Sequence, residues 1–296
     1  MYKVPEVCIL PVAGLSSRNL PATKVIHKGL LTLHNRPIIQ YAVDAAAEIG
    51  CKEIVFIYSD EDCKSIFGRY FSKNEWLEDH LEEKGKLDLL KELKSIIPSN
   101  MKFSFAEQSE AKGNGHAVLM AKEIVGKRDF IVMWPDDVYL NLRGSGVLKQ
   151  LGDVYQKYGG MVQNIMEFPK DDMVRYGALV KPLREGNVVH ASDLVEKPAL
   201  ENVPSNYAAM GPYMLPNEIM DILPEVKKGG NGEINLTDAI SLAANRGTKY
   251  TGVLCDAMRL DCGTNLDLCK SNIKLSLMED PSLRSYAKEL LDSMVL

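Results

Sequence analysis

The sequence has no long apolar run and no excess of basic residues, and both absences narrow the class of protein. No run approaches the roughly 20 apolar residues that a membrane-spanning helix needs, and the N-terminus lacks the features of a signal peptide. Its 35 Lys and Arg are outnumbered by 40 Asp and Glu, whereas a nucleic-acid scaffold is usually basic. We expect a cytoplasmic protein that binds neither membrane nor nucleic acid, although a local cation cluster would suffice for a nucleotide.

The six cysteines lack the C-x-x-C spacing that is commonest in zinc sites. Cys8 and Cys255 lie in apolar runs, which predicts buried, reduced thiols. The chain also has no internal repeat, low-complexity tract or clear linker. With 296 residues, 46% hydrophobic and 25% charged, it is long enough for one large α/β domain or for one domain with an appendage.

Strand and helix patterns alternate along the chain. Apolar runs at residues 8–12 and 53–58 predict strands, and helical spacing at 36–50 predicts a helix between them. This order implies a parallel sheet with a right-handed crossover. The later predictions are two or three helices in 61–100, strands at 101–107, 129–134 and 160–168, a helix at 116–124, a β-rich stretch at 178–214 with a turn at 186–187, a helix at 233–246, a strand at 250–260 and a helical tail at 265–296 broken at Pro281.

Residues 11–28, directly after the first predicted strand, combine small residues with cations. A turn of small residues can direct several backbone N–H groups at one anion, and arginine and lysine add fixed charge for phosphate. The candidate phosphate ligands are Ala13, Gly14, Arg18, Lys24 and Lys28. Anion sites are common at such strand-to-helix corners; the alternative is an ordinary corner whose cations are solvated.

A glycine-containing loop follows the strand predicted at 101–107. Gln108 can both donate and accept hydrogen bonds, as a pyrimidine edge requires. Gly113 and Gly115 permit close approach by a flat ring, although a plain turn before a helix has the same composition. The loop does not match G-x-G-x-x-G, which argues against a dinucleotide-dependent oxidoreductase.

Two adjacent carboxylates, Asp136 and Asp137, follow the strand predicted at 129–134. The carboxyl ends of strands are where α/β sheets bind ligands. Paired acidic oxygens suit Mg²⁺, which combines a few protein ligands with phosphate oxygens. A helix cap or a simple loop is the alternative interpretation of this pair.

The cation-rich stretch resembles a known motif. Residues 13–29 read AGLSSRNLPATKVIHKG, which is similar to A-G-x-G-T-R-x-x-P-A-T-K-x-x-P-K-E of the bacterial UTP–glucose-1-phosphate uridylyltransferases, a family of sugar-nucleotide pyrophosphorylases. Ser16, His27 and Gly29 stand where that motif has glycine, proline and glutamate. Further elements match in order at 108–117, 176–177, 196–198, 204–213, 232–239 and 260–263. The resemblance extends from residue 7 to about residue 274.

The resemblance implies a Rossmann-like α/β fold with a mixed, mainly parallel sheet flanked by helices, of the nucleotide-diphospho-sugar transferase type. It implies a nucleotidyltransferase domain at 1–264, with a nucleotide-binding half at about 1–140. A β-rich, sugar-binding half would occupy about 141–264, and a C-terminal helical extension 265–296. The expected assembly is a homodimer or homotetramer.

The same resemblance implies an Mg²⁺-dependent enzyme that makes UDP-glucose and pyrophosphate from UTP and glucose 1-phosphate. Arg18 and Lys28 would be catalytic, His116 structural, and residues 232–239 a scaffold. It assigns the nucleotide to Ala13, Gly14, Lys24, Gln108, Gly113 and Asp136; the sugar or its phosphate to Gly177, Glu196, Lys197 and Met210; the sugar or loop orientation to Asp137; and Mg²⁺ to Asp136 and Asp261.

Two alternatives remain within this resemblance. Thymidylyltransferases share the architecture, but they typically carry a second acid before E-K-P, where this chain has Val195; the helical insertion at 61–100 also favours the uridylyl branch. The second alternative is a regulatory or interaction paralogue whose catalytic activity is weakened. Ser16 adds a side chain in the phosphate loop and Gly29 removes a carboxylate beside Lys28, but the charged site residues all remain.

Overall fold

The computed structural model of the protein describes residues 1–141, 143–229 and 232–294. Its strands are β1 (Val7–Pro11), β2 (Thr32–Leu33), β3 (Arg36–Pro37), β4 (Glu53–Tyr58), β5 (Lys102–Glu107), β6 (Phe130–Val132), β7 (Asp137–Leu140), β8 (Met161–Glu167), β9 (Gly177–Val180), β10 (Leu183–Glu185), β11 (Val188–Ala191), β12 (Asp193–Val195), β13 (Tyr207–Leu215), β14 (Tyr250–Leu254) and β15 (Met258–Asp261). Its helices are α1 (Ile38–Glu48), α2 (Glu61–Tyr70), α3 (Glu75–Glu83), α4 (Leu87–Ser95), α5 (Asn114–Leu119), α6 (Lys122–Val125), α7 (Val147–Tyr158), α8 (Ile219–Ile222), α9 (Leu236–Asn245), α10 (Asn265–Glu279) and α11 (Pro281–Ser293).

A mixed sheet forms the centre of the molecule, in the strand order β10-β11-β14-β8-β13-β6-β1-β4-β5. On one side, β1 pairs in parallel with both β4 and β6, and β5 pairs in parallel with β4. β13 is antiparallel to β6 and β8 and connects this part to the remaining strands, while β9 and β12 branch from it. The α/β fold with a mixed sheet and flanking helices is therefore confirmed.

Helices cover both faces of the sheet, and this explains why β1 is apolar along its whole length. Cys8 and Leu10 belong to the core that α1, α2 and α7 complete on one face. Val7 and Ile9 belong to the core formed with α5, α8 and α9 on the other face. This packing fixes the carboxyl end of β1, and with it the start of the cation-rich loop.

A short ribbon outside the main sheet corrects one prediction. The single strand predicted at 250–260 is wrong, because β14 ends at Leu254 and β15 begins only at Met258. Gln150 holds the polar turn between them, its Oε1 accepting from the Asp256 amide at 2.9 Å. β15 then pairs antiparallel with β7, a strand that the pattern did not predict, and places Asp261 opposite Asp137.

Two helix predictions also need correction. The helix predicted at 116–124 is two short helices, α5 and α6, because the backbone tightens at Met120, whose N–H lies near the carbonyls of two preceding residues. The helix predicted at 233–246 begins only at Leu236, since the Ile234 backbone bonds to the glycine loop instead. The segment 61–100 forms α2, α3 and α4, as predicted.

The tail is helical to Ser293 and is broken at Pro281, as predicted, because α10 ends at Glu279 and Pro281 opens α11. Residues 295–296 lie outside the described ranges. Within those ranges no helix combines the length and the apolar character needed to cross a membrane. None of the six cysteines forms a disulfide. Burial raises the pKa of the Cys8 thiol far above its ordinary value, whereas Cys255 is half-buried rather than buried.

Candidate active site

Lys28 and Asp136 form an ion pair at the carboxyl edge of the parallel strands. Lys28 opens a short 3₁₀ turn, Lys28–Leu30, in the loop after β1, and Asp136 follows β6. The Lys28 Nζ atom lies 2.6 Å from Asp136 Oδ2, and both side chains are partly buried. An ammonium has three N–H donors, so the contact with Asp136 leaves donors for a ligand's phosphate oxygens.

Asp261 lies beside this ion pair. The Cys262 amide, at the end of β15, donates to the Asp136 carbonyl oxygen at 2.7 Å and fixes the two loops together. A Cβ placed on Gly263 would lie 3.1 Å from Asp261 Oδ1 and 3.6 Å from Asp136 Oδ2. Both carboxylate oxygens therefore lie within 3.6 Å of that one position, and the Gly263 amide donates to Asp261 Oδ1 at 2.9 Å. The structure thus brings close together the aspartates that were predicted as a pair.

Arg259 is a site residue that the sequence reasoning missed. Its Nε donates to Asp137 Oδ1 at 2.6 Å, and its Nη2 donates to Asp261 Oδ2 at 2.9 Å. Strand alternation places residues 259 and 261 on the same face of β15, so the spacing of this arginine from Asp261 was the available signal. Arg259 ties the orientation of Asp261 to that of Asp137.

Both carboxylate oxygens of Asp137 are hydrogen-bonded by neighbouring side chains. Besides Arg259, the Tyr139 hydroxyl donates to its second oxygen, Oδ2, at 2.7 Å. Burial raises the pKa of Asp137 to about 6, although the charge of Arg259 and the Tyr139 hydrogen bond act in the opposite direction. With both oxygens engaged, Asp137 fits the loop-orienting role expected of it, and the sugar contact stays a prediction.

The loop after β1 carries the predicted phosphate ligands. Ser16 has φ 53°, in the left-handed region that glycine adopts most easily, which explains why the family motif has glycine there. The Ser16 hydroxyl donates to the Gly14 carbonyl at 3.2 Å, and the Thr23 hydroxyl donates to the Ser16 carbonyl at 2.8 Å. A Cβ on Gly14 would meet no atom within 4 Å, so the loop after Ala13 is open to a ligand.

Arg18 and Lys24 lie further along the same loop, Arg18 within the 3₁₀ turn Ser17–Asn19 and Lys24 at the end of the 3₁₀ turn Ala22–Lys24. Both side chains are exposed. Neither forms an ion pair with an acidic residue in the part of the chain that the structure describes. Their charge is thus available to an anion, and their roles toward the nucleotide stay predictions.

The glycine loop packs against the scaffold segment predicted at 232–239. Gly113 has φ 107°, and a Cβ there would lie only 2.5 Å from the Ile234 carbonyl oxygen; a Cβ on Gly115 would lie 2.8 Å from Asn235. Both glycines are needed because the two backbones approach so closely. The sequence suggested a different reason for them, namely room for a flat ring. The Gly115 amide donates to the Ile234 carbonyl at 2.8 Å and closes the contact.

Gln108 is buried at the base of this loop. Its Nε2 donates to the Gly113 carbonyl at 3.0 Å and lies 3.1 Å from His116 Nδ1. Burial and the nearby Lys112 charge lower the pKa of His116, which favours its neutral form as the acceptor. His116 supports Gln108 here, consistent with a structural role.

The predicted sugar ligands come together from β9, β13 and the loop that follows β12. A Cβ on Gly177 would lie 3.3 Å from Glu196 Oε2 and 3.3 Å from Ala209 Cβ. The Glu196 carboxylate lies 3.3 Å from Lys197 Nζ, and Lys197 adopts φ 42°. Met210 is buried in β13 at the start of a register shift.

That register shift connects the sugar cluster to the aspartate loop. A Cβ on Gly211 would lie 3.0 Å from Trp134 Cδ1, and Trp134 precedes Asp136 by two residues. The Trp134 ring also contacts Tyr213 edge-on, with ring centroids 6.0 Å apart. Asn164 Nδ2 donates to the Gly211 carbonyl at 3.1 Å and stabilises the bulge. The two groups of residues are therefore parts of one packed region.

Comparison with known proteins is consistent with this geometry. The nucleotidyl transferase family model matches residues 8–276. The chain is 34% identical to a UTP–glucose-1-phosphate uridylyltransferase (YngB) of Bacillus subtilis, over 100% of this chain and 97% of the relative. It is also 34% identical to the enzyme of that name from Haemophilus ducreyi, over 95% of this chain and 96% of the relative.

Solved structures agree with these relatives. A UTP-bound UGPase from Acinetobacter baumannii superposes with a TM-score of 0.86 at 32% identity, over 98% of this chain and 99% of that one. A UDP-glucose pyrophosphorylase complexed with UDP-glucose gives a TM-score of 0.83 at 32% identity, over 93% of this chain and 99% of that one. The chain therefore belongs to the nucleotidyl transferase family, in the group of the UTP–glucose-1-phosphate uridylyltransferases.

Proposed function

We propose that the protein transfers the uridylyl group of UTP to glucose 1-phosphate and releases pyrophosphate. The observation that carries the proposal is the convergence of Lys28, Asp136 and Asp261 at the carboxyl edge of the sheet. The relatives that bear this activity in their names match essentially the whole chain, which supports the same substrates here.

In the proposed reaction a phosphate oxygen of glucose 1-phosphate attacks the α-phosphorus of UTP in line. The bond from that phosphorus to the bridging oxygen of the β-phosphate breaks, and pyrophosphate leaves with the electron pair. Such transfers depend on positioning and on charge neutralisation. Lys28 holds the α-phosphate as negative charge builds, and Arg18 neutralises the departing pyrophosphate.

Asp136 and Asp261 are the residues that would hold Mg²⁺. Two carboxylates that lie this close together suit this ion, which is usually bound by one or two carboxylates together with substrate phosphates. No group of three or more His, Cys, Asp or Glu in the described ranges is arranged to hold a metal ion by itself, so phosphate oxygens and water would complete the coordination. When bound, Mg²⁺ supplies neutralisation of the triphosphate charge, and Arg259 keeps Asp261 oriented for that contact.

Gln108 and Gly113 are the proposed contacts of the uracil base, with Ala13, Gly14 and Lys24 along the phosphates. Gly177, Glu196 and Met210 are the proposed contacts of the glucose hydroxyls. The Glu196 carboxylate accepts from sugar hydroxyls, and Lys197 pairs with the sugar phosphate. The packing of Gly211 on Trp134 supports placing the sugar next to the aspartates.

A pyrophosphate-release assay tests the proposal. With glucose 1-phosphate and Mg²⁺, we expect release from UTP and much slower release from dTTP. Lys28→Ala should lower kcat about a hundredfold, as loss of one charge-stabilising contact does. Lys52→Ala is the matched control, because Lys52 pairs with Glu6 at the opposite end of the strands. Faster turnover of dTTP would identify a thymidylyltransferase, and no turnover of either would favour the regulatory paralogue.

The metal assignment has a separate experiment. Asp261→Asn should raise the Mg²⁺ concentration that gives half-maximal rate by tenfold or more, because an amide is a far weaker ligand than a carboxylate. Asp256→Asn, in the turn before β15, is the control on the same segment. An unchanged Mg²⁺ requirement in Asp261→Asn would contradict the assignment.

We also propose that the C-terminal helical extension, residues 265–296, carries a homo-oligomer interface outside a nucleotidyltransferase domain at 1–264. In support, no residue of α11 is buried, and Tyr286, Leu290 and Leu291 are exposed. Light scattering should find a dimer or tetramer, and Leu290→Glu/Leu291→Glu should shift it toward monomer. A monomeric wild type would contradict this. A cytoplasmic location also remains a proposal, based on the nature of the two substrates.

A further inference from the structure

The His27 ring lies next to Lys28, and both of its nitrogens are engaged. The Gly29 amide donates to His27 Nδ1 at 3.0 Å, and His27 Nε2 lies 2.7 Å from the Val12 carbonyl oxygen. Because Nδ1 accepts a hydrogen bond, the ring proton is on Nε2, which donates to Val12. The imidazole thus connects the turn that carries Lys28 to the end of β1.

The His27 ring packs against Phe67 and Gly29. The His27 ring packs edge-on against Phe67 of α2, with centroids 4.8 Å apart. A Cβ on Gly29 would lie 3.2 Å from His27 Nδ1 and 3.2 Å from Phe67 Cζ. The imidazole therefore occupies the space that a side chain at position 29 would need.

Positions 27 and 29 are two of those at which the sequence departs from the family motif, which has proline and glutamate there. The contacts above make these departures one coupled change rather than two separate losses. A histidine with both nitrogens bonded requires the amide and the empty side-chain position that Gly29 provides. Ser16, which stands where the motif has glycine, lies in a different part of the loop and has its own hydrogen bond to Gly14.

We propose that His27 is a positioning residue for Lys28, and that Gly29 is glycine because the His27 ring takes its place. The inference rests on the proposed role of Lys28 in the transfer. His27 precedes the 3₁₀ turn Lys28–Leu30 as its N-cap, and its bond from the Gly29 amide fixes the first turn of backbone. With that backbone fixed to β1, the Lys28 side chain is directed at Asp136.

The electrostatic surroundings of His27 support the neutral ring that this geometry needs. Burial lowers the pKa of His27, the bond to Val12 opposes this, and the Lys28 charge lowers it further; Asp60 and Asp136 act in the raising direction. The charged groups that face the ring are thus Lys28 on its own loop, Asp60 at the start of α2 and Asp136 after β6. The net effect is a lowered pKa of His27. The ring therefore stays neutral at pH values at which an ordinary histidine becomes protonated.

Kinetics of three histidine variants test the proposal. His27→Ala should lower kcat about tenfold, because a small misplacement of a charge-stabilising group is costly, with little change in KM for glucose 1-phosphate. His27→Asn should recover part of that loss, since an asparagine oxygen at an N-cap accepts the Gly29 amide. His80→Ala is the control: His80 is exposed and stacks on Trp76, so kcat should not change.

A double-mutant cycle tests the coupling to Gly29. Gly29→Ala should lower kcat in the wild-type background, because its Cβ displaces the ring. It should cost much less in the His27→Ala background, where the ring is absent and only the contact with Phe67 remains. Equal losses in both backgrounds would overturn the coupling between the two positions. Thermal unfolding of each variant identifies any loss that comes from unfolding.

Nitrogen-15 NMR of the imidazoles tests the wild-type protein directly and does not depend on any variant's activity. The resonances missing from His27→Asn identify His27, which should keep a protonated Nε2 and an unprotonated Nδ1 at the pH at which an ordinary histidine is half protonated, about 6.5. A ring with mixed tautomers, or one titrating near pH 6.5, would overturn the proposal. If Lys28→Ala is slow but His27→Ala is not, the positioning role fails and the proposed function stands. If Lys28→Ala keeps wild-type kcat, the assigned role of Lys28 fails first.

Discussion

Arg259 donates to Asp261 from Nη2 at 2.9 Å while its Nε, at 2.6 Å, holds Asp137. The planar guanidinium of Arg259 thereby connects Asp261, the proposed metal ligand, to Asp137, whose carboxylate is fixed within the fold, and so sets the orientation of Asp261. The Asp137 side chain is 13% exposed and that of Arg259 22% exposed. Partly buried charges of this kind depend strongly on each other, because neither is well solvated without its partner.

Replacing Arg259 should therefore cost stability as well as metal affinity. Arg259→Ala leaves Asp137 without its cation, and we expect the free energy of unfolding to fall by roughly 3 kcal/mol. Arg259→Lys should recover only part, since one ammonium does not reproduce the two-sided geometry of a guanidinium. Urea denaturation gives the values. Arg246→Ala, which breaks an exposed pair with Glu225, should cost much less, because solvent screens exposed ion pairs; equal losses would contradict the argument.

Gly113 should tolerate alanine less well than a glycine of similar backbone conformation. Gly113 has φ 107° and Gly247 has φ 99°. A Cβ on Gly113 would lie 2.5 Å from the Ile234 oxygen, whereas a Cβ on Gly247 would meet no atom within 4 Å. Gly247→Ala should cost about 1 kcal/mol from the backbone alone. Gly113→Ala should cost at least that much again and also raise KM for UTP. Denaturation curves and UTP titrations measure both effects, and similar behaviour of the two variants would be inconsistent with the backbone contact.

Glu196 should affect sugar phosphate binding more than nucleotide binding. Glu196→Gln keeps the size of the side chain but removes its charge, and we expect KM for glucose 1-phosphate to rise about tenfold, as for the loss of a hydrogen bond to a charged group. KM for UTP should change little. Glu201→Gln, on the exposed 3₁₀ turn Leu200–Asn202, is the control. A larger effect on UTP than on the sugar phosphate would reverse the assignment.

Glu53 gives a prediction for stability against pH. It is 5% exposed; burial alone would raise its pKa, but hydrogen bonds from Lys102, Ser104 and Arg128 outweigh burial and lower it. Its stabilisation is therefore present above the unfolded pKa of about 4.3 and is lost as pH falls through the lower folded value. Glu53→Gln should be less stable than wild type at pH 7, and the difference in unfolding free energy should shrink below about pH 4. Glu82→Gln, on exposed α3, should lack that trend.

Local patterns predicted the parallel part of the sheet well. The run at residues 53–58 is β4 without change, and the helix predicted at 36–50 is α1 with shortened ends. These elements follow from apolar periodicity, which burial on a fixed face imposes directly. The carboxylate pair of Asp136 and Asp261 was also predictable, but only through its resemblance to known motifs, since no local pattern relates residues so far apart.

Contacts between distant segments were not predictable. The local sequence does not indicate that residues 258–261 pair with β7 rather than join the main sheet, because strand propensity does not specify a partner strand. The glycines at 113 and 115 look like room for a ligand, yet the Ile234 backbone occupies that room. The fit of Gly29 around the His27 ring likewise depends on Phe67, which comes from another helix.

The ribbon of β7 and β15 has a consequence for synthesis of the chain on the ribosome. Arg259 lies 122 residues after Asp137, whereas β1, β4 and β6 are all complete before Asp137 emerges. Chains fold from the N-terminus as they are made, so the parallel strands can assemble while Asp261 is still untranslated. A nascent or prematurely terminated chain would thus have the scaffold of parallel strands with half of its acidic pair, and the site is completed only after Asp261 has been made.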